Sequence, residues 1–587
     1  EARNETSDFT VLLTGQAIVG NDFEKVGQDD LARGEMFGIP IALIILVIVF
    51  GTVVAAVVPI VVAIISIIIA LGISALVGQV FALSFFVENI IFMIGLAVGI
   101  DYSLFIVDRY REERRKGLTK VDALEKSGNT ATRAVLFSGL TVVLALSGML
   151  LIPFNVFIAI AIGAISVVVA SVLAAMTLLP AALSLLGDKL DRLGIPGLKQ
   201  SAVQDDSNEG SRFWDRAAYL VMRRPFLSLI LSAGLLVIAA IPLLDLRIGF
   251  AGVSTLPDGV QSKDGFLVLD QNFSAGDAAP AHIVIAGDFN SSGVQDGITA
   301  LFASMASDPD QTFGTPRPPE LNADQTIALI EVPLEGDSAE ARAQTAVDNL
   351  RDRYVPAAFG GTDAEVVITG ATAYNMDFFQ AAKDGILVVF PFVLGMSFIL
   401  LMIVFRSIVV PIKAIILNLL SVAATYGLLV LVFQKGLGND LGILAEFDII
   451  EAWIPLFLFS ILFGLSMDYH VFLLSRIRER FDQTGDNTES VAFGIRSTGR
   501  LITGAALIMV AVFWGFAAGD LIGLQQMGFG LGIAVLIDAT IVRMVLVPST
   551  MKMLGSRNWY LPPFLHWLPD LRVEVEDDVV PEASPAG

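Results

Sequence analysis

The sequence predicts a polytopic α-helical membrane protein that carries an α/β domain outside the membrane. Of its 587 residues, 55% are hydrophobic and 16% are charged, whereas soluble domains average about 45–50% apolar and about 25% charged residues. Apolar runs of about twenty residues recur along the chain, and each is long enough to cross a bilayer. These observations exclude a soluble enzyme with a single hydrophobic core.

The composition also excludes several kinds of site. The chain has no cysteine and only three histidines, so a disulfide framework, a thiolate metal site or a cysteine nucleophile cannot form and a multi-histidine site is not expected. A net charge of −22 argues against a nucleic-acid partner. No phosphate-binding loop or nucleophile elbow is visible. We therefore expect no enzyme activity, no catalytic residues, no metal and no cofactor, and an ion gradient as the energy source.

Eleven apolar runs predict eleven membrane spans. They lie near 36–52, 53–77, 89–108, 134–152, 157–186, 225–245, 384–405, 408–433, 453–475, 501–518 and 523–553. Basic residues mark the cytoplasmic loops: eight lie between Arg109 and Arg133, seven in 187–224, and five between Arg476 and Arg500. This alternation places the N-terminus and the acidic segment outside, and the C-terminus inside.

The segment 248–378 predicts the outer domain. Between Gly249 and Phe378 there are 19 acidic and 5 basic residues, a net charge of −14. Its patterns predict three strands and two helices, in an order that resembles a split βαβ, or ferredoxin-like, unit. The strands are Ala281–Ala286, Thr326–Val332 and Glu365–Thr369, and the helices are Val294–Ala306 and Ser338–Tyr354.

The chain also contains an internal repeat, which predicts two pseudo-repeated halves. Leu13-Thr14-Gly15 matches Ile368-Thr369-Gly370 at an offset of 355, and Asp101-Tyr102 matches Asp468-Tyr469 at an offset of 367. Because both halves enter the membrane in the same direction, the repeat is parallel. The first half has one span fewer, and only Thr10–Thr14 matches the outer domain's last strand. We therefore expect a truncated first half, with a natural five-plus-six protein as the alternative.

The repeat predicts seven regions. They are the incomplete end of a first outer domain (1–35), five spans of the first half (36–186), a cytoplasmic connector (187–224), the first span of the second half (225–247), a second outer domain (248–378), five further spans (379–555) and a partly disordered cytoplasmic tail (556–587).

Asp101 and Asp468 are the most informative residues in the spans. Each lies eight residues before a basic cytoplasmic edge, or about 12 Å along a helix. Placing a carboxylate at the centre of a bilayer costs about 2.5–3.5 kcal/mol. Two carboxylates at matched positions, each followed by tyrosine, therefore indicate a common function. The pseudo-twofold axis would bring them together, and each carboxyl could then bond the opposite phenol and carry a proton. The alternative is a polar lock between two helices.

Two further positions could support such a relay. Asp538 lies five residues before Arg543 in the last span, where it is either a relay member or half of a structural ion pair. Ser138 could line the relay, although a serine that bonds its own helix backbone is more common. Gly95 and Gly99, which precede Asp101, favour a close helix–helix approach.

These motifs carry a family resemblance. GIDYSLF at 99–105 with RYREE at 109–113, and SMDYHVF at 466–472 with RIRE at 476–479, resemble the MMPL (mycobacterial membrane protein large) family of the RND transporter superfamily. RAVLFSGLT at 133–141 and LIDAT at 536–540 are also similar to family segments. The resemblance covers nearly the whole chain.

The resemblance implies twelve spans, two extracytoplasmic porter domains and proton-coupled export of lipids or other hydrophobic small molecules. It assigns the proton relay to Asp101, Tyr102, Asp468 and Tyr469. It also implies a multi-pass protein of the bacterial inner membrane with its porter domains outside, and partner proteins in the periplasm or cell envelope. Two rivals share the architecture: a sterol-sensing receptor of Patched type and a SecDF-like accessory to protein export.

Overall fold

A computed structural model describes residues 11–194, 210–272, 276, 279–289, 291–440 and 444–568, with only the backbone at 210–213, 217 and Asp468. Within these residues, eleven helical segments are long and apolar enough to cross a membrane, which confirms the predicted number. Spans 1 to 11 are Gln16–Phe50, Val53–Val77, Phe86–Arg115, Lys120–Leu151, Asn155–Asp191, Pro225–Asp245, Ala371–Phe405, Val409–Gln434, Ile454–Thr484, Asn487–Ala517 and Ile522–Trp559.

Spans 1 and 7 extend well beyond the predicted apolar runs. Span 1 begins at Gln16 and continues without a break to Phe50, so 16–35 is helical. Span 7 begins directly after Gly370, with a φ of 111°, at the end of the outer domain. Spans 1 and 2 are separated at Gly51, whose φ of 71° lies in the left-handed region that glycine adopts readily. The chain therefore turns at Gly51, close to the boundary between the predicted runs 36–52 and 53–77.

The outer domain is built on a four-stranded antiparallel sheet. Its strands are β2 (Ala281–Ala286), β3 (Glu320–Leu321), β4 (Ile327–Val332) and β5 (Glu365–Thr369), in the order β3-β4-β2-β5. In this order β4 separates β2 from β3, and β2 separates β4 from β5, so each βαβ unit is split by a strand. The helices are Gln261–Asn272, Ser292–Ala306, Ala341–Asn349 and Val355–Phe359.

A second, two-stranded sheet connects the outer segment to the membrane bundle. Strand β1 (Ile248–Gly249) pairs in parallel with β6 (Ile450–Glu451), which lies just before span 9. The start of the 248–378 segment therefore does not join the four-stranded sheet, because its pairing partner is the loop between spans 8 and 9.

The sequence predicts a strand at Thr10–Thr14, and for residues 11–14 this prediction is wrong. Thr10 lies outside the described residues, and 11–14 form no strand. A strand needs a neighbour to bond its backbone groups, as β5 has in β2. Residues 11–14 have no such neighbour among the described residues, and Thr14 Oγ1 instead donates to the Ser262 carbonyl at 2.9 Å.

Spans 3 and 9 lie at the centre of the bundle. In their most apolar stretches, 89% and 94% of residues are buried, more than in any other span. Span 3 packs against spans 2, 5 and 10, while span 9 packs against spans 4, 7, 10 and 11. These two helices carry the two Asp-Tyr pairs, so the backbone places both pairs in the interior.

Candidate functional site

Aromatic contacts join span 3 to span 9 beside the predicted relay. The Phe105 ring lies 5.9 Å from the Tyr469 ring and 4.9 Å from the Phe472 ring, measured between centroids. Phe105 follows Asp101 by one helical turn, so its contacts place this part of span 3 opposite the Asp-Tyr pair of span 9. The two helices therefore contact each other beside their Asp-Tyr pairs.

Asp101 and Tyr102 are both buried in the bundle. Their side chains are 2% and 1% exposed, so the Asp101 carboxylate does not face lipid. A Cβ built on Gly139 would lie 3.8 Å from the Tyr102 hydroxyl, which places that hydroxyl against span 4. Ser138 is the residue before Gly139, and its buried Oγ has no hydrogen-bond partner among the described residues. The alternative in which Ser138 bonds its own helix backbone is therefore not what the structure shows.

Asp468 lies in the middle of span 9, and its side chain is outside the described part of the structure. The expectation that a carboxyl of one half bonds the phenol of the other, at about 2.5–3.0 Å, therefore stays a prediction. Its neighbour Tyr469 is described and is 3% exposed.

Tyr469 connects the predicted relay to span 11. Its hydroxyl donates to Met509 Sδ in span 10 at 3.7 Å. The Arg543 guanidinium lies over its ring, 4.2 Å from the centroid. A cation over an aromatic face is attracted by the ring quadrupole, most strongly where water is excluded. The Tyr469 side chain is thus fixed by contacts with two other spans.

Asp538 and Arg543 form a buried ion pair. Residues Asp538–Leu546 adopt a π-helix, in which backbone groups five residues apart are bonded, and this winding brings positions 538 and 543 to one side. The side chains are 11% and 1% exposed. The sequence left two interpretations open for Asp538, a relay member and half of a structural ion pair. Both are compatible with this pair, because Arg543 contacts Tyr469 of the predicted relay.

The ion pair belongs to a polar network across spans 8, 9 and 11. Ser466 Oγ lies 3.0 Å from Asp538 Oδ1 and 2.9 Å from Asn418 Oδ1, and its single proton can serve either acceptor. Arg543 also donates to the Ser466 carbonyl at 3.1 Å. A hydroxyl that can bond either of two acceptors is suited to passing a proton between polar groups.

A small cavity adjoins this network. It is lined by Asn418, Ser421, Val422, Leu462, Leu465, Ser466, Tyr469, Ala506, Ala534, Val535, Asp538, Ala539 and Arg543. Two more titratable groups are buried nearby in the second half, Lys413 and His470. The second half therefore contains a mainly apolar cavity with several polar and charged groups in its lining.

Three residues of the site were not predicted from the sequence: Asn418, Ser466 and Met509. Asn418 is a polar residue inside an apolar run, and Ser466 precedes Asp468 by two positions, so both carried a weak signal. Met509 carried none, because a methionine in an apolar span is ordinary core.

Comparison with known proteins identifies the family of this chain. The model of the MMPL family matches residues 1–228 and 254–567. The mycolic acid-containing lipids exporter MmpL11 of Mycolicibacterium smegmatis is 35% identical over 584 residues, covering 98% of this chain and 59% of the relative. The trehalose monomycolate exporter MmpL3 of the same organism is 30% identical, covering 94% of this chain and 57% of the relative. The chain thus spans somewhat more than half the length of these relatives.

A solved structure shares the fold. SecDF, a translocon-associated membrane protein from Thermus thermophilus, superposes with a TM-score of 0.53 at 16% identity, covering 92% of this chain and 63% of that one. At this identity the likeness concerns the fold alone. The family match across most of the chain and the eleven spans lead to one conclusion: this chain is a multi-pass membrane protein that belongs to the MMPL family.

Proposed function

We propose that the protein is a proton-motive-force-driven exporter of the RND/MMPL type, which moves lipids or other hydrophobic molecules across the bacterial inner membrane. The observation that carries this proposal is the burial of Asp101 on a central span opposite Tyr469. Asp101 is 2% exposed, and Phe105, one turn later, contacts the Tyr469 ring at 5.9 Å. An ionisable residue inside a bundle marks an ion or proton pathway by default.

In this proposal Asp101, Tyr102, Asp468 and Tyr469 form the relay. A carboxyl group can bind and release a proton, and a phenol can donate to it while accepting from another group. Ser138 and Asp538 support the relay from the two sides: Ser138 stands beside the span 4 position that meets the Tyr102 hydroxyl, and Asp538 holds the Arg543 that covers Tyr469. Neither needs a metal or cofactor.

The substrate class and the topology are also proposals. The two mycobacterial relatives are named as exporters of mycolic acid-containing lipids and of trehalose monomycolate, which favours a lipidic substrate for this chain. The porter domains lie outside, with 248–378 as the second of them, and meet envelope partners there. Protein export is not favoured, because the likeness to SecDF rests on fold alone, and no observation favours a Patched-type receptor.

Asparagine at either aspartate separates a proton relay from a polar lock. We expect Asp101→Asn and Asp468→Asn each to abolish proton-coupled export by the full-length protein, because an amide cannot release a proton. An amide oxygen still accepts a hydrogen bond from a phenol, so a lock would tolerate the change. The measurement is substrate release from inverted membrane vesicles under an imposed proton gradient, together with thermal unfolding of the purified variants.

Ser103→Ala provides a matched control on the same helix. Ser103 is fully buried two residues after Asp101, and within the described part of the chain its hydroxyl bonds only the Gly99 carbonyl of its own helix, at 2.8 Å. This variant should export normally. Export that survives asparagine at either position would remove that aspartate from the relay and favour the lock.

A further inference from the structure

Glu451 lies buried at the joint between the outer domain and the membrane bundle. Two backbone hydrogen bonds join strands β1 and β6 and the residues beside them. The Ile450 N–H donates to the Arg247 carbonyl at 2.8 Å, and the Ala452 N–H donates to the Gly249 carbonyl at 2.9 Å. The side chain of Glu451 is part of the same joint, because its Oε1 accepts a hydrogen bond from the Ala251 backbone at 3.3 Å. The joint therefore couples the first residues of the outer segment to the loop before span 9.

Span 11 closes the other side of the joint. The Gln526 side chain, which is fully buried, accepts from the Glu451 backbone at 2.9 Å and donates to the Ile449 carbonyl at 2.9 Å. Glu451 itself is 5% exposed. Its carboxyl thus sits among neutral groups, with one long hydrogen bond from the described residues.

Several charged groups lie around the joint, but none of the described ones forms an ion pair with the Glu451 carboxyl. Arg247, just before β1, is exposed, and Lys435, just after span 8, pairs with Asp245 at 2.7 Å. The first turn of span 3 carries the exposed Glu88, and span 11 presents only glutamines here. Among the described residues none of these charges pairs with Glu451. Burial accordingly raises the pKa of the Glu451 carboxyl from 4.5 to about 8, although the Ala251 bond opposes the shift.

We propose that Glu451 is a second proton-binding site, on the outer side of the bundle, whose proton holds the β1–β6 joint closed. A neutral carboxyl can remain buried among these neutral partners. An ionised carboxylate needs water or more donors, and reaching them requires the joint to open. The role in transport rests on the proposed function: span 9 begins at Ile454, three residues after Glu451, and carries the Asp468-Tyr469 pair. Loading and loss of this proton would therefore move the outer domain against the relay helix.

The direction of the pH dependence follows from the raised pKa. The closed joint binds its proton with a pKa of about 8, whereas the open joint exposes a carboxyl with an ordinary value of 4.5. The closed state therefore has its full stability below pH 4.5 and loses it progressively as the pH rises to about 8. Above that pH both states are ionised, and the balance no longer changes.

Hydrogen exchange of the full-length protein in lipid nanodiscs tests this directly. The backbone amides of Ala251, Ile450 and Ala452 are protected only while the joint is closed. After correction for the intrinsic pH dependence of exchange, we expect the protection of wild-type peptides covering them to fall by about tenfold per pH unit between about pH 5 and pH 8. Glu451→Gln, which cannot ionise, should keep constant protection across this range.

Glu446→Gln is the matched control, because Glu446 lies exposed on the same loop; it should follow the wild type. Constant wild-type protection across the range would overturn the proposal, as would a Glu451→Gln variant that loses protection in parallel with the wild type. The wild-type series decides the question even if the variant does not fold. Failure of proton-driven export would remove only the link to transport, and a flat exchange profile would remove the Glu451 site even if export is proton-driven.

Discussion

Matched positions of spans 3 and 9 differ in their surroundings: those of span 3 pack closely against neighbouring helices, and those of span 9 line a cavity. Under the predicted repeat, an offset of 367 pairs Gly95 with Leu462 and Gly99 with Ser466. Both glycines are packed against neighbouring helices: a Cβ on Gly95 would lie 2.5 Å from Ile67 Cγ1, and one on Gly99 would lie 2.9 Å from Ala63 Cβ. Leu462 and Ser466 instead line the cavity.

The last spans of the two halves differ in the same sense. The offset of 368 that matches Leu179-Pro180 with Val547-Pro548 pairs Asp538 with Ala170 and Arg543 with Ala175. Both alanines are buried, at 2% and 0% exposure. The second half thus carries an ion pair where the first half carries two methyl groups.

Under the predicted repeat, this comparison indicates that the two halves pack their matched positions differently. The first half provides a close-packed helix seam at Gly95 and Gly99. The second half provides the cavity, the ion pair and a hydroxyl that can bond either of two acceptors. If protons pass through the bundle, the polar route lies on the side of spans 8, 9 and 11. Asp101 would be linked to that route where Phe105 of span 3 contacts Tyr469 of span 9.

Removing one partner of the ion pair should have the largest effect on stability. Arg543→Met leaves the Asp538 carboxylate buried without its counter-charge, so we expect a loss of about 3–5 kcal/mol in the free energy of unfolding. The double variant Asp538→Leu with Arg543→Met should recover most of it, because no charge then remains to be desolvated. Thermal and denaturant unfolding of the purified protein would measure both.

Asp482→Asn serves as the control for that experiment. The Arg478–Asp482 pair spans 2.9 Å but is partly exposed, so its loss should change the free energy of unfolding by about 1 kcal/mol or less. Equal effects at the two pairs would show that the second half is not distinguished by a buried charge pair.

Adding a methyl group to the seam of the first half should have an intermediate effect. In Gly95→Ala the new Cβ would meet Ile67 Cγ1 at 2.5 Å and Val167 Cγ2 at 2.7 Å, and such overpacking typically costs about 1–3 kcal/mol. Gly72→Ala in span 2 is the matched control, because no atom lies within 4 Å of its Cβ position. Equal stability of the two variants, measured by thermal unfolding, would contradict a close-packed seam.

Removing the Ser138 hydroxyl should have the smallest effect on stability and still be informative. Because Ser138 Oγ is buried without a partner among the described residues, Ser138→Ala should be neutral or stabilise the protein by about 1 kcal/mol. If this hydroxyl serves the relay, proton-coupled export should nevertheless slow. Unchanged export would restrict the polar route to the second half. There the position that matches Ser138 is already an alanine, Ala505.

Several elements could be predicted from local patterns. The limits of β2 and β5 agree with the predicted strands at both ends, and β4 begins one residue later than predicted, at Ile327. The spans were predicted in number because twenty apolar residues in a row have few alternatives to crossing a bilayer. The first residues of spans 1 and 7 were not predicted, because 16–35 and 371–383 are polar enough to resemble part of the outer domain.

The sequence by itself determined the class of the protein, the eleven spans, the strands of the outer domain and the residues whose burial demands a reason, since these follow from composition and short-range periodicity. The tertiary structure alone decided what those residues contact. Ser466 meets Asp538 across 72 positions, β1 pairs with a loop some 200 positions away, and Phe105 packs against Tyr469 from another span. Such partners are chosen by helix packing across the whole bundle, and no local pattern in the chain records that choice.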